Sequence, residues 1–247
     1  MLKFAIKNII SFLPGGIRLL IRDLLKQKKN CITLTKRYGQ FRTIRESSCL
    51  DMIGRPIPWY TYPAIEYLSH VDFSDLRVLE YGSGNSSLWW MERCQELISI
   101  ENDQEWYEKI KSTGCRGLNF DYILETSEEA YVHQEKLSAA NIVIIDGVYR
   151  SKCANAFIAA CQDKSCGLAM LIFDNSDWYP KTIKTLHDAL AWVQVDFHGF
   201  GPINSYTWTT SVFINPQRSS ILKYAKPLMS IDWVDNSTGN TDDDPQV

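Results

Sequence analysis

From about residue 60 onward, two hydrophobic patterns alternate along the chain. Short apolar runs, typical of buried strands, alternate with stretches whose apolar residues recur every three or four positions, as on one face of a helix. The predicted strands span residues 77–81, 96–100, 119–124, 141–145, 168–173, 193–198 and 207–214. The predicted helices span 86–93, 104–112, 151–163 and 180–192, and a further helix begins at Pro63.

The order of these elements predicts an α/β fold with a Rossmann-like, seven-stranded, mostly parallel sheet. Helical crossovers between successive strands place helices on both faces of such a sheet. Only residues 199–206 separate the last two predicted strands, too few for a helical crossover. These two strands are therefore expected to pair antiparallel.

The composition is that of a soluble globular protein with one main domain. The 247 residues are 45% hydrophobic and 22% charged, which suffices for one core rather than two. The predicted units are a basic amphipathic extension at 1–49, the Rossmann-like domain at 50–236 and a disordered acidic tail at 237–247, which has no apolar residues to bury before Val247.

The charge is strongly asymmetric. Residues 1–45 contain eleven Lys or Arg and one acid, Asp23, for a net charge of +10, so the remaining residues carry -13. A basic arm of this kind is expected to bind an anionic surface. The rest of the chain lacks the patch of basic residues interleaved with aromatic residues that is typical of nucleic-acid-binding proteins. Apolar residues recur at helical spacing in this arm: Leu2, Ile6, Ile9, Ile10 and Leu13, then Ile17, Leu20, Ile21, Leu24 and Leu25.

These two stripes leave three interpretations open: peripheral contact with a membrane through residues 1–29, packing on the domain, or a homodimer interface. The uncharged stretch at 8–17 is too short to span a bilayer, and no cleavage signal follows it. The seven cysteines form no CxxC pair, which argues against a zinc site or a disulfide framework. The expected location is the cytoplasm, with or without peripheral membrane contact.

The candidate cofactor site begins where the first predicted strand ends. Residues 78–84 read Val-Leu-Glu-Tyr-Gly-Ser-Gly, with Glu80 on the strand and the turn Gly82, Ser83 and Gly84 before a helix. Glycines there let a ligand approach the backbone. Glu101 ends the second strand, 21 residues after Glu80, where its two oxygens are placed to accept both hydroxyls of a ribose.

This pattern resembles the first motif of the class I S-adenosylmethionine-dependent methyltransferases, which reads apolar-apolar-acid-apolar-Gly-x-Gly. The likeness extends from about Trp59 to Asn215. It implies a seven-stranded sheet with a single antiparallel strand near one edge, and S-adenosylmethionine as cofactor. A third glycine, which a dinucleotide fingerprint would place at Ser86 or Ser87, is absent.

Polar residues follow two further strands. Asp146 comes after the fourth, and Asp174 and Asn175 come after the fifth. Such oxygen donors suit Mg²⁺, and the set resembles that of the metal-dependent O-methyltransferases, in which a divalent cation orients an acceptor hydroxyl. Those enzymes carry a lysine base after the first Asp, whereas the cations here are Arg150 and Lys152 at other offsets. The alternative is that Asp146 caps a helix and Asp174-Asn175 forms a turn.

Other aromatic and titratable residues complete the candidate site. His198, after the sixth strand, is a candidate base, so the candidate catalytic residues are Asp146, Arg150 and His198. Trp59, with Tyr60 and Tyr62, either covers the cofactor or packs in the core; Trp89 and Trp90 are expected in the core.

The resemblance implies a methyltransferase acting on an oxygen of a small molecule or glycan. Two alternatives stay open from the residues themselves. One is an NAD-dependent oxidoreductase using the same strand-glycine-helix geometry, and the other is a catalytically inactive Rossmann binding module recruited to membranes.

Overall fold

A computed structural model describes residues 13–112, 119–163, 166–224 and 230–231 of the 247-residue chain. Nine strands are present in this part of the chain. In chain order they are β1 (Val71–Asp72), β2 (Arg77–Tyr81), β3 (Glu96–Glu101), β4 (Phe120–Leu124), β5 (Ile142–Ile145), β6 (Met170–Asp174), β7 (Val193–Gly199), β8 (Trp208–Ile214) and β9 (Lys223–Tyr224).

Seven of these strands form one sheet in the order β4-β3-β2-β5-β6-β8-β7. β8 pairs antiparallel with both β6 and β7, and all other neighbours are parallel. The predicted Rossmann-like sheet with one antiparallel strand near its edge is therefore confirmed. The predicted strand ends are correct within two residues. β1 and β9 form a separate antiparallel pair that the pattern does not predict, because two residues show no period.

Eight α-helices accompany the strands in the described residues. They are α1 (Gly15–Ile32), α2 (Gln40–Glu46), α3 (Tyr62–Ser69), α4 (Asn85–Met91), α5 (Gln104–Ser112), α6 (Glu128–Val132), α7 (Arg150–Cys161) and α8 (Pro180–Ala189). Helix α8 ends three residues before its predicted end at 192. Leu190 adopts an extended conformation there, and Trp192 packs edge-on against Phe157 with ring centroids 5.4 Å apart.

The sheet separates two hydrophobic cores because successive strand residues point to opposite faces. On one face, Val78 and Ile144 pack with Leu68 of α3 and Trp90 of α4. On the other face the buried residues include Leu79, Val143, Phe157 and Leu186. Trp89 and Trp90 are core residues, as predicted. This two-sided burial fixes the carboxyl ends of β2, β3, β5 and β6 along one edge.

The described part of the N-terminal extension has two different environments. No residue of α1 is buried. After a π-helical turn at Thr33–Arg37, Leu34 and Tyr38 pack against the first core, and Gln40 Nε2 donates to the Gly201 carbonyl at 3.1 Å. The domain boundaries at 49 and 236 stay predictions. The first apolar stripe up to Ile10 and the tail at 237–247 lie outside the described residues.

Candidate functional site

The candidate site lies at the carboxyl edge of the sheet, where the loops after β2, β3, β5 and β6 meet. In open α/β sheets ligands bind beyond this edge, at the point where the strand order reverses. Here that point lies between β2 and β5. From β2 the chain continues to β3 and β4 on one side, and it then crosses to β5 and β6 on the other side. The glycine turn after β2 is therefore at the position that the fold makes available to a ligand.

Gly82 makes the closest backbone contact in this turn. Its φ is +107°, and a Cβ built on it would lie 2.9 Å from the Gly147 backbone nitrogen. Gly147, in the loop after β5, has no room for a side chain either, because a Cβ there would overlap the Tyr131 hydroxyl and approach Gly82 Cα to 2.9 Å. The two loops thus meet backbone against backbone, a contact that only glycine permits.

Glu101 connects the end of β3 to the glycine turn. Its Oε1 accepts from the backbone N–H groups of Asn102 at 2.8 Å and Asp103 at 2.9 Å. Its Oε2 accepts from the Ser83 hydroxyl at 2.5 Å. A carboxylate oxygen has two lone pairs. The backbone therefore saturates Oε1, and Oε2 keeps one lone pair for a ligand hydroxyl and gains a second if Ser83 rotates away.

Two aromatic residues that the sequence pattern does not single out also contact this turn. The Tyr122 hydroxyl lies 2.8 Å from Ser83 Oγ, and the Trp106 indole donates to the Ser83 carbonyl at 2.9 Å. Trp106 also lies beside Gly84. The sequence does contain a signal for Trp106. This residue lies in the first turn of the helix that follows Glu101, and the start of that helix lies at the same edge of the sheet as the glycine turn. Tyr122 sits on β4, 39 residues from Ser83, where only the strand order reveals the contact.

Glu80 lies beneath the turn rather than on its surface. It is fully buried, and its Oε2 accepts from the hydroxyls of Ser87 and Ser99, both at 2.6 Å. Its Oε1 has no hydrogen-bond partner among the described residues. Burial raises the pKa of Glu80 to about 7, against the lowering effect of the serine hydroxyls. Glu80 thus supports the start of α4 from inside the fold.

A pH-dependent stability is expected from Glu80. The folded protein holds this proton up to about pH 7, whereas the ordinary value of 4.5 applies to the unfolded chain. The contribution of Glu80 to the free energy of unfolding is therefore largest below pH 4.5 and is lost as the pH rises through 7, by about 3 kcal/mol in total. Urea denaturation of the wild type and of Glu80→Gln, from pH 4.5 to 8, measures this.

The informative quantity is the difference between the two proteins, because other titrating groups cancel in it. This difference should change across pH 4.5 to 7 and be level above pH 7.5. Glu92→Gln, an exposed position just after α4, is the matched control and should give a level difference throughout. A level difference for Glu80→Gln as well would show that Glu80 is not buried as described.

Arg150 joins the loops after β5 and β6. It donates five hydrogen bonds: Nε to the Gly147 carbonyl, Nη2 to the carbonyl and carboxylate of Asp146, and Nη1 to the Asp174 carbonyl and the Asn175 side chain. The guanidinium has five N–H groups, so all are used. Only 12% of the Arg150 side chain is exposed. Tyr149 and Asn175, which flank this contact, have positive φ.

The three predicted metal ligands do not fit a divalent cation. Asp174 is buried, and its Oδ1 accepts from Trp208 Nε1 at 3.1 Å and Thr210 Oγ1 at 2.5 Å. Asp146 and Asn175 are both bonded to Arg150, whose positive charge repels a cation. In the part of the chain that the structure describes, no cluster of three or more His, Cys, Asp or Glu could hold a metal. The structure does not support the predicted Mg²⁺ site.

Burial raises the pKa of Asp146 and of Asp174, whose carboxyl groups are neighbours. For Asp146 the opposing influence is the charge of Arg150, and for Asp174 the charge of Asp146 raises the pKa further. The side chain of Asp146 is 21% exposed, whereas Asp174 is enclosed by the core and β8. Asp146 is therefore the carboxylate of this pair that a ligand can reach.

The remaining candidates lie further from the turn. His198 is on β7, four strands from β2, or about 19 Å at ordinary strand spacing. Its Nδ1 lies 2.7 Å from Thr209 Oγ1. Tyr60 and Tyr62 are buried in the core, which is the second of the two environments predicted for them. Trp59 is 45% exposed and remains available to a ligand.

No protein-family profile and no curated protein matches the chain. The chain is similar to solved structures that include an O-methyltransferase, TomG from Streptomyces achromogenes, in complex with SAM (TM-score 0.44, 14% identity, 62% of this chain and 77% of that chain). Another is the N-methyltransferase NodS from Bradyrhizobium japonicum with S-adenosyl-L-homocysteine (0.40, 14%, 57% and 78%). A third is a dimethyladenosine transferase from Plasmodium falciparum (0.45, 13%, 66% and 66%). At these identities, and with TM-scores below 0.5, the likenesses carry no argument about activity or ligand.

Proposed function

We propose that the chain is an S-adenosylmethionine-dependent methyltransferase. The observation that carries the proposal is the contact between Glu101 and the glycine turn, in which a carboxylate at the end of β3 accepts the Ser83 hydroxyl at 2.5 Å. A hydroxyl thus already occupies a position that a ribose hydroxyl would take. The backbone beside it, at Gly82, packs directly against Gly147 and holds the turn in place.

The charge of the site favours a cationic cofactor. Glu101 and Asp146 are the carboxylates at this edge that a ligand can reach, and Arg150 contacts the last loops from one side. S-adenosylmethionine has a positively charged ammonium and a sulfonium, which carboxylates attract. The diphosphate of NAD is negative and would lie at the start of α4, close to the Glu101 carboxylate, where the Gly84 backbone N–H already donates to Ser87 Oγ at 3.2 Å.

The cofactor, when bound, supplies an electrophilic methyl group on sulfur. The chain's own residues then have three tasks. Glu101 holds a ribose hydroxyl through the free lone pair of Oε2. Asp146, with its raised pKa and partial exposure, accepts the proton of the acceptor hydroxyl near neutral pH. Arg150 positions Asp146 and joins the two loops that border the acceptor.

We infer further that the acceptor is a small molecule or glycan that is methylated on oxygen. The supporting observation is a set of exposed aromatic side chains along the carboxyl edge, which offer flat apolar surface to a sugar or planar ring. Trp178 is 57% exposed, and its ring centroid lies 6.4 Å from that of the exposed Tyr206. Trp59 is a further exposed aromatic residue.

Glu101→Gln tests the cofactor site. The amide oxygen can still accept from Asn102 and Asp103, so the loop after β3 keeps its backbone hydrogen bonds. A charge-assisted hydrogen bond to the ligand is lost. We expect affinity for S-adenosylhomocysteine to decrease about 10- to 150-fold, from a loss of about 1.5–3 kcal/mol. Calorimetric titration measures it.

The matched control is Glu105→Gln, an exposed position four residues further on. It should bind S-adenosylhomocysteine as the wild type does. If Glu101→Gln keeps the wild-type affinity and the wild-type melting temperature, the ribose does not lie at this carboxylate and the proposal loses its basis.

A further inference from the structure

Helix α1 is an exposed amphipathic surface with an unusual charge distribution. None of its eighteen residues is buried, although it includes several large apolar side chains. Those that are exposed are Ile17, Leu19, Leu20, Leu24, Leu25 and Ile32. The single acid, Asp23, is paired with Arg22. An apolar helix face left in solvent costs free energy, so it indicates a surface that meets something else.

The apolar and basic residues of α1 form two adjacent stripes. At 100° per residue, Ile17, Leu20, Ile21, Leu24 and Leu25 share one arc of the helix. Four of the five basic side chains of α1 form the flank next to that arc, at a spacing of three to four residues. They are Arg18, Arg22, Lys26 and Lys29, whereas Lys28 lies within the arc near the C-terminal end of the helix. Asp23, Gln27 and Asn30 lie on the far flank.

We propose that α1 is a docking surface for an anionic lipid bilayer. The two stripes match the two layers of a membrane interface: the apolar arc enters the acyl boundary, and the basic flank reaches the anionic headgroups. Long Lys and Arg side chains can extend from the apolar boundary to the headgroup level. A nucleic acid would pair with the basic flank but would leave the apolar arc in water, so the observations favour lipid.

The membrane-facing helix is connected to the candidate site by the segment that follows it. Gln40 contacts the loop after β7, and Thr43 Oγ1 accepts from the Ile203 backbone N–H at 3.0 Å. Asn85, the first residue of α4 after the glycine turn, donates to Ser48 Oγ at 3.0 Å and to the Cys49 carbonyl at 2.6 Å. One continuous segment therefore attaches the docking helix to the border of the site.

Cosedimentation of the full chain with vesicles of phosphatidylcholine and phosphatidylserine tests the proposal. We expect binding that requires phosphatidylserine. Replacing the four residues of the basic flank with Gln should lower the partition coefficient on the order of 100-fold or more, at about fivefold per residue. Leu20→Gln with Leu24→Gln keeps the charge and should lower it about tenfold or more.

The matched control removes the same number of charges from exposed positions of the body, and it should bind the vesicles as the wild type does. Its substitutions, all to Gln, are at Lys181, Lys184, Arg218 and Lys223. Each variant should also bind S-adenosylhomocysteine unchanged, so this test stands apart from that of the proposed function. Absence of vesicle binding, equal loss in the body control, tighter binding to RNA than to vesicles, or self-association through α1 in place of lipid binding would each overturn the proposal.

Discussion

Replacement of Arg150 by Met is expected to lower the free energy of unfolding by about 3–5 kcal/mol. The methionine fills much of the same volume but removes the five hydrogen bonds that Arg150 donates, three to the loop after β5 and two to the end of β6 and the loop after it. The substitution leaves three backbone carbonyls, the Asp146 carboxylate and the Asn175 side-chain oxygen without this donor in a largely buried site, and the Asp146 charge loses its counter-ion. Urea denaturation at pH 7.5 measures the change.

A second substitution separates the electrostatic part of this loss from the packing part. Asp146→Asn removes the uncompensated charge, so the double variant with Arg150→Met should recover part of the lost stability. Lys184→Met is the matched control, because Lys184 forms an exposed ion pair with Asp188 and should change stability by less than about 1 kcal/mol. A loss below 1 kcal/mol for Arg150→Met, equal to that of the control, would show that Arg150 does not connect the two loops.

Gly82→Ala is expected to have the second-largest effect. The added Cβ would contact the Gly147 backbone at 2.9 Å, and alanine disfavours a φ of +107°. Neither obstacle is a flexible side chain, so the backbone itself must shift. We expect a loss of about 2–3 kcal/mol in stability. Because a 1 Å displacement of the turn moves every donor and acceptor in it, S-adenosylhomocysteine affinity should decrease at least about 100-fold.

Gly16→Ala is the matched control for this substitution. A Cβ at Gly16 meets no atom within 4 Å, and alanine favours the helix there. The control should keep the wild-type affinity for S-adenosylhomocysteine and be as stable or slightly more stable. If Gly82→Ala binds the ligand as tightly as Gly16→Ala does, the cofactor does not approach the backbone at this turn.

The fold could be predicted from the sequence because each of its signals is local. The run at Ile142–Ile145 is apolar without alternation, which is typical of a strand buried on both faces. The eight residues 199–206 between the last two predicted strands are too few for a crossover helix, and that count alone predicted the antiparallel pairing of β7 with β8. The antiparallel pair β1–β9 joins Val71 to Tyr224, a contact between distant residues that no periodic pattern indicates.

The site could be predicted only as a set of strand ends. Position after a strand brings Asp146 and Asp174 to one edge, but it does not show that Arg150 occupies the space between them or that Asp174 turns toward Trp208. Those contacts depend on loop conformations with positive φ at Tyr149 and Asn175. The structure does not support the predicted metal site for this reason, because the donor chemistry was inferred without the competing cation Arg150.

Glu80 shows a signal that the sequence did contain. Strand residues alternate between faces, so Glu80 shares a face with Val78, which belongs to the core that α4 covers. The carboxylate therefore points beneath the crossover helix, toward Ser87 and Ser99, and not toward a ligand above the strand end. Glu101 is the last residue of β3, and its carboxylate instead contacts the glycine turn by accepting the Ser83 hydroxyl.

Calorimetric titration of the full wild-type chain with S-adenosylhomocysteine and, separately, with NAD⁺ tests the central claim most directly. Both ligands contain a ribose, but only NAD⁺ contains a diphosphate, which the carboxylate of Glu101 would repel. The structure predicts saturable binding of one S-adenosylhomocysteine per chain and no binding of NAD⁺ under the same conditions. Saturable binding of NAD⁺ without binding of S-adenosylhomocysteine would contradict the assignment of this site to methyl transfer.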